Sequence, residues 1–141
     1  MYPQIFHYMT NGRPATGLVT INRVPVGAGA GLTVTLDGTA YVWSPPGTST
    51  APTSLSFTGD TPQKMVQSLV AAINADPSRY GVDHWNNQPI KSIWAVYYGT
   101  SIRLIASEGG TGGNSLNISI TTTTDAYSAS ISGATLANGA A

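Results

Sequence analysis

The sequence predicts an α+β fold, mainly antiparallel β and sandwich-like, with about seven or eight strands and one amphipathic helix at about residues 61–75. Short runs of alternating apolar and polar residues recur along the chain, as in strands with one buried face. Tight glycine-containing turns separate neighbouring runs, as in hairpins. Only one segment has the 3.6-residue period of a helix, and a chain of 141 residues fits one domain with a single core.

Residues 1–15 are predicted to form an extended N-terminal arm that precedes the β-rich domain of residues 16–141. The arm follows no helix or strand period, yet several of its side chains are apolar. These candidate interface residues are Tyr2, Ile5, Phe6 and Tyr8. Aromatic residues carry much of the energy of interfaces, so we expect the arm either to anchor in a neighbouring subunit or to pack on its own domain.

The first part of the domain is predicted to form a strand followed by a hairpin. Alternating apolar residues place the first strand between Leu18 and Val26 and the next at Leu32–Leu36. Asp37-Gly38 is typical of a two-residue turn, which requires positive φ at both central positions. Tyr41–Trp43 then returns as the second strand of the hairpin.

The helix has the clearest signal in the chain, after a proline-rich loop at 44–53 and a short strand at Leu55 and Phe57. Asp60 or Thr61 is placed to cap the helix, and Pro62 fits its first turn, where a missing N–H costs nothing. The sequence Asn-Ala-Asp-Pro at 74–77 ends it. The apolar stripe expected to pack on a sheet consists of Met65, Val66, Leu69, Val70 and Ile73.

The second half is predicted to begin with a polar, exposed loop at 79–89 that carries Trp85, a further candidate interface residue. Ile93–Tyr98 and Ser101–Ser107 flank the Gly99-Thr100 turn and are predicted to form another hairpin. The glycine-rich segment 109–114 leads into a strand rather than a helix, so it lacks the context of a phosphate-binding loop. Two further strands are expected, at 116–120 and at 127–131.

The charge balance bears on possible partners. Charged residues make up only 9% of the chain, against about 25% in an average soluble domain. The 6 basic and 6 acidic residues cancel and form no run, so we expect neither nucleic acid nor a membrane as a partner.

No segment reaches about 18 consecutive apolar residues, and the N-terminus lacks the basic-then-apolar order of a secretory signal. The sequence therefore predicts a soluble protein that is not exported by that route.

Candidate catalytic and metal-binding residues are few. With 0 cysteines, disulfides, thiolate nucleophiles and Cys-based zinc sites are excluded. The two histidines, His7 and His84, lie in the arm and in the polar loop. Asp83 directly precedes His84 and Asp76 lies further upstream, without the spacing of a zinc site. We therefore predict no enzymatic activity, no metal ion and no cofactor.

Trp43 and Trp94 are expected in the core, which leaves Trp85 as the exposed tryptophan.

Several segments, read in order, resemble a module that recurs in bacteriophage tail, neck and baseplate proteins. The quoted segments are LTVTLDGTAYVW at 32–43, TPQKMVQSLVAAINAD at 61–76, WAVYYGTSIRLIAS at 94–107 and EGGTGGNSLNISI at 108–120. The family features are a turn such as Asp37-Gly38 followed by an aromatic residue, here Tyr41, a helix with the Ala71–Ala75 segment, and a glycine-rich loop before a strand. The resemblance spans residues 16–139.

The resemblance implies a non-enzymatic structural protein of the virion that binds other virion proteins and copies of itself. Two alternatives stay open at this point: a capsid decoration protein, and a carbohydrate- or receptor-binding module in which exposed aromatic rings stack on sugars. Because few Lys or Glu residues protect the predicted strand edges, we expect assembly by edge-to-edge or arm-to-edge pairing.

Overall fold

The structure, a computed structural model, describes residues 12–45, 56–75, 80–82 and 89–140. Regular elements occupy most of this part of the chain. In chain order they are β1 (Pro14–Ile21), β2 (Gly31–Leu36), β3 (Thr39–Ser44), β4 (Ser56–Thr58), α1 (Pro62–Ala75), β5 (Tyr80–Val82), β6 (Pro89–Lys91), β7 (Ile93–Tyr98), β8 (Ser101–Gly109), β9 (Ile118–Thr123) and β10 (Ala129–Ile131).

Eight of these strands form two four-stranded sheets around one core. The first sheet has the strand order β10-β1-β8-β7 and the second has the order β4-β3-β2-β9. All pairings in the two sheets are antiparallel except that of β3 with β4, which is parallel. With α1 as the helix, this architecture confirms the predicted α+β sandwich-like fold.

Both predicted hairpins are confirmed. Asp37 and Gly38 have φ angles of 48° and 85°, the positive values that a two-residue turn between β2 and β3 requires. Gly99, with φ of 68°, begins the turn between β7 and β8. These turns fix the register, so the inward residues of each strand pair face the same core.

The helix begins where the sequence predicts. The Thr61 side chain caps it, since its hydroxyl oxygen accepts a hydrogen bond of 3.2 Å from the backbone N–H of Lys64. Asp60 instead forms an exposed ion pair with Lys64, at 3.1 Å. The buried face of α1 consists of Met65, Val66, Leu69, Ala72 and Ile73. Of the predicted stripe, only Val70 is partly exposed.

The core lies between the inner faces of the two sheets and α1. Its largest fully buried side chains are Tyr41, Phe57, Ile21, Leu32, Leu36, Met65, Leu69, Ile73, Ile93, Ile102 and Leu104. Trp43 belongs to the core, as predicted, and its ring nitrogen donates a hydrogen bond of 3.1 Å to the carbonyl oxygen of Gly59. Trp94 is only partly buried and lies on the outer face of the first sheet, so its predicted core position is wrong.

Helix α1 covers the edge strands β4 and β7, which it contacts on the same side of the sandwich. The Ser68 hydroxyl accepts a hydrogen bond of 2.9 Å from the backbone N–H of Thr58 in β4. Asn74 binds Ala95 in β7 twice: its side-chain oxygen accepts from the backbone N–H at 2.9 Å, and its NH2 group donates to the carbonyl at 3.0 Å. The helix thus supplies partners that a further strand would otherwise supply.

The C-terminal segment closes the opposite side. Backbone hydrogen bonds join Ile118 to Ala134, Leu136 to Leu116 and Ala137 to Thr16. Arg13 and Ala140 pair through two backbone bonds of 2.8 and 3.0 Å. The C-terminal segment thus pairs with Arg13, Thr16 and the start of β9, and α1 pairs with one position each of β4 and β7, while edge-to-edge assembly stays a prediction.

Three local predictions need correction. The first strand starts at Pro14 and ends at Ile21, rather than spanning Leu18–Val26, because the chain after Ile21 leaves the first sheet and crosses to the second. Pro14 and Ala15, assigned to the arm, therefore open β1. The predicted loop at 79–89 contributes to a two-stranded sheet, in which β5 pairs with β6. Within the glycine-rich segment, Gly112–Ser115 forms a short 3-10 turn.

Candidate interaction surfaces

The interface residues predicted from the sequence lie outside the described part of the chain. They are Tyr2, Ile5, Phe6, Tyr8 and Trp85. The same holds for His7, Asp76, Asp83 and His84, the residues weighed for acid–base or metal chemistry. The candidate surfaces below are therefore built from other residues, on the two sheets and at one end of the sandwich.

The outer face of the first sheet carries large side chains. Alternate residues of β1, β7 and β8 point away from the core, as their burial shows. Val96 lies opposite Arg103, which lies opposite Leu18. Trp94 lies opposite Ile105 in the next row. We call this surface the aromatic face, and its members are Leu18, Trp94, Val96, Tyr98, Arg103 and Ile105.

Along β7, the exposure of the aromatic face increases toward the β7–β8 turn. Tyr98 is 65% exposed and Val96 is 46% exposed, whereas Trp94 is partly buried. Arg103 is exposed, and the ion pairs among the described residues leave it without an acidic partner. Tyr, Trp and Arg are the residue types that dominate the binding energy of protein interfaces. The composition of this face is thus typical of a contact surface.

The outer face of the second sheet is flat and rich in hydroxyl groups. Thr33 lies opposite Val42 on one side and Thr121 on the other, and Thr35 lies between Ala40 and Ser119 in the same way. We call this surface the hydroxyl face, and its members are Thr33, Thr35, Ala40, Val42, Ser119, Thr121 and Thr123. None of these residues is charged, and the largest, Val42, is 49% exposed.

One end of the sandwich is held by a charged pair. Arg23 donates to both carboxylate oxygens of Asp125, over 2.9 Å from Nε and 2.6 Å from Nη2. The Val26 backbone N–H donates to Asp125 Oδ2 at 3.1 Å. The hydrogen bonds from Arg23, followed by that from Val26, lower the pKa of Asp125 against the opposing effect of burial. The same pairing raises the pKa of Arg23.

Exposed apolar side chains surround this charged pair. Tyr127 is 80% exposed, and its carbonyl oxygen accepts a hydrogen bond of 3.1 Å from the side chain of Asn22. Val26 is 56% exposed on the connector between β1 and β2. Tyr98 lies at the same end, because the β7–β8 turn contacts the end of β1 through a 2.8 Å bond between Ile21 and Thr100.

An open groove of about 440 Å³ lies beside the aromatic face. It runs between β1 and the segment 132–138, and Arg103 forms part of its wall. Its other lining residues are uncharged, so Arg103 is the one charged group among the residues that line the groove.

Metal binding and membrane crossing have no candidate in the described residues. No group of three or more His, Asp or Glu residues there is placed to hold a metal ion. No helix in this part of the chain is long and apolar enough to cross a membrane. What the described surface does offer is two broad sheet faces on opposite sides of the sandwich.

No protein-family model matches the chain, and no curated protein matches it.

Part of the aromatic face can be predicted from the sequence, because Trp94, Val96 and Tyr98 alternate with Ile93 and Ala95. The sequence does not show which of these two sets of residues faces the core, since alternation alone is compatible with either.

Proposed function

We propose that this chain is a non-enzymatic structural component of a bacteriophage particle, a tail, neck or baseplate protein, that acts through protein–protein assembly. The observation that supports assembly most directly is the aromatic face, where Trp94, Val96 and Tyr98 follow one another on the outer side of β7 and Arg103 lies opposite Val96. Rigid aromatic residues supply contact area at a low cost in conformational entropy.

The nearly uncharged surface supports the same proposal. A chain with 9% charged residues and a formal net charge of +0 lacks the repulsion that keeps free proteins apart in solution. Docking in an assembly removes that surface from water. The placement in a phage particle is supported by the order of the segments at 32–43, 61–76, 94–107 and 108–120, which resembles phage modules.

Immunogold electron microscopy tests the placement. Antibodies raised against the purified chain are applied to phage particles from a lysate of cells that carry the gene. We expect gold particles at the tail, neck or baseplate. Labelling spread over the capsid shell would instead support the decoration protein, and particles without any label would contradict a virion role.

A carbohydrate- or receptor-binding module is the second candidate, favoured by the exposed rings of Tyr98 and Tyr127. Tyr98 ends β7 and Tyr127 lies just before β10, at the same end of the first sheet. A glycan-dependent change in intrinsic fluorescence that Tyr127→Ala abolishes would support this candidate, whereas no change across a panel of glycans would exclude it for those glycans.

A further inference from the structure

We propose that Asn138 is a site of spontaneous deamidation, and that Asn114 sets its rate by holding the backbone nitrogen that would attack it. Asn138 is exposed on the C-terminal segment and is followed by Gly139. Glycine has no side chain to shield the nitrogen of its peptide bond, so an Asn-Gly pair is the most reactive context for this reaction. The reaction needs no enzyme and no partner, so it does not depend on the proposed virion role.

Deamidation at this position is a cyclisation followed by hydrolysis. The Gly139 backbone nitrogen gives up its proton to water and forms a bond to Cγ of Asn138. The bond between Cγ and Nδ2 then breaks, and ammonia leaves with a proton taken from water, so that a five-membered succinimide remains. Water opens the ring at one carbonyl to give aspartate or at the other to give isoaspartate. Water is the only co-reactant, and nothing is oxidised or reduced.

The fold favours both residues of this reactive pair. Asn138 has φ of 67°, in the left-handed region that asparagine adopts more readily than most residues. A Cβ atom at Gly139 would lie against the carbonyl oxygen of Gly110 and 3.1 Å from the backbone nitrogen of Ala15, so a larger residue does not fit without a shift. An Asn-Gly pair therefore stays at an exposed position, where the contacts around it decide how fast it reacts.

The attacking nitrogen is held by a side chain from another element. The Gly139 N–H donates a hydrogen bond of 2.9 Å to Asn114 Oδ1, and the Asn114 NH2 group donates one of 3.1 Å to the Gly139 carbonyl. Arg13 Nε donates at 2.8 Å to the carbonyl oxygen of Asn138, so the reacting peptide unit is held at both ends. Ring closure breaks these contacts and therefore waits for local opening.

The contacts from Arg13 and from Asn114 do not act alike. A guanidinium group on the Asn138 carbonyl oxygen draws electrons from the peptide unit and makes the Gly139 N–H more acidic, which favours attack. Asn114, in contrast, must release the N–H before the nitrogen can lose its proton, and both of its hydrogen bonds oppose the reaction. Asn114 is therefore the contact that controls the rate.

The product would open the C-terminal side of the sandwich. Isoaspartate routes the backbone through the former side chain, which adds one methylene between residues 138 and 139. Before this point Ala137 is bound to Thr16. After it Ala140 is bound to Arg13. The added length puts these two sets of bonds out of register, so a chain that has reacted stays open at this segment.

Site-resolved mass spectrometry of the incubated full chain measures the reaction, because exchange of NH2 for OH raises the mass at residue 138. We expect the wild type to react about tenfold or more slowly when folded than in denaturant. Asn11-Gly12, the second Asn-Gly pair of the sequence, is the reference and should match the rate at residue 138 in denaturant. Asn138→Gly, which accepts the left-handed φ, should remove the signal.

Variants of Asn114 test the hold on the nitrogen. Asn114→Ala should accelerate the reaction of the folded chain about tenfold or more, because two hydrogen bonds are lost. Asn114→Asp keeps an oxygen that accepts from the Gly139 N–H and should stay near the wild-type rate. Ser115→Ala is the matched control, since Ser115 lies in the same turn and binds Gly112. Circular dichroism checks folding, and Asn114→Ser, too short to reach Gly139, replaces an Asn114→Ala variant that does not fold.

Three outcomes overturn the proposal. Equal rates for the folded and the denatured wild type would mean that the fold gives no protection. A folded Asn114→Ala variant that reacts at the wild-type rate would mean that another contact sets the rate. Equal acceleration in Asn114→Ala and Asn114→Asp would assign the effect to a general loss of stability rather than to the oxygen that accepts from Gly139.

Discussion

The carboxylate of Asp125 is almost fully buried, with 2% of its side chain exposed, yet its surroundings favour the charged form. The hydrogen bonds from Arg23 hold its pKa below the ordinary value of 3.8. A carboxyl group whose pKa is lower in the folded state binds protons more readily when the chain unfolds. Its contribution to stability is therefore complete above the ordinary pKa and is lost as the pH falls through the folded value.

Asp125→Asn should lower the melting temperature at neutral pH, because it removes the charge that Arg23 pairs with. The difference from the wild type should begin to shrink below about pH 4, where the unfolded wild-type chain binds the proton, and disappear only below the lower folded pKa. Thermal unfolding from pH 7 to pH 2 measures both effects. Asp60→Asn, in the exposed pair with Lys64, is the control and should change little. A difference that stays constant with pH would contradict this account.

Gly17 is a second residue that the packing around it determines, because the structure leaves no room for a side chain there. A Cβ atom at this position would lie 2.6 Å from Ile118 Cδ1 and 2.7 Å from Leu136 Cδ2, so the two side chains occupy the space above the glycine. Gly17→Ala should reduce the free energy of unfolding by about 1 to 3 kcal/mol through overpacking. Gly112, where a Cβ would meet nothing within 4 Å, is the matched position. Denaturant titration should show a loss for Gly17→Ala that is absent from Gly112→Ala.

At the scale of elements, helix α1 acts as the partner of two strands as well as a cover for the core. Asn74→Ala would leave the backbone N–H and carbonyl of Ala95 without their partner. We expect a loss of about 1 to 3 kcal/mol in the free energy of unfolding, together with faster aggregation, because the β7 edge becomes available to other chains. Gln67→Ala, at an exposed position of the same helix, should cause neither change. Chemical denaturation and turbidity on heating report the two effects.

The elements differ in how well the sequence predicts them. The turn at Asp37-Gly38 and the helix after Thr61 are determined by neighbouring residues, so local chemistry was sufficient. The parallel pairing of β3 with β4 and the bonds from Ser68 and Asn74 join residues that are distant or on different elements, and no local pattern encodes them. Strands β5 and β6 have three residues each, too few to show an alternation.

For the candidate surfaces, too, the sequence predicts features within one strand but not those that depend on which strands are neighbours. Their alternation along β7 puts Trp94, Val96 and Tyr98 on one side of the strand, but which side faces the core depends on how the sheets pack, and Trp94 was therefore expected in the core. The hydroxyl face combines residues of β2, β3 and β9, whose adjacency is a property of the sheet order. The predicted interface residues of the arm and Trp85 remain predictions, since they lie outside the described residues.

For the whole molecule, the C-terminal segment completes the sandwich. Leu136 is fully buried and fills the space above Gly17, and its backbone N–H donates a bond of 3.0 Å to Leu116. Leu136→Ala should lower the free energy of unfolding by about 2 to 5 kcal/mol, because it leaves a cavity between the sheets. Ser130→Ala, at an exposed position of β10, is the control. Equal midpoints of denaturation for the two variants would refute a structural role for this segment.

The pairing of Arg13 with Ala140 has a consequence for how the domain is attached. Antiparallel partners lie about 5 Å apart, so the polypeptide enters and leaves the sandwich at practically one point. Tension applied through the flanking chain would act first on the two Arg13–Ala140 bonds and would separate the strands from their ends. Because Arg13 and Ala140 are adjacent, the domain could also be inserted into a surface loop of a longer polypeptide without moving the two ends of that loop apart.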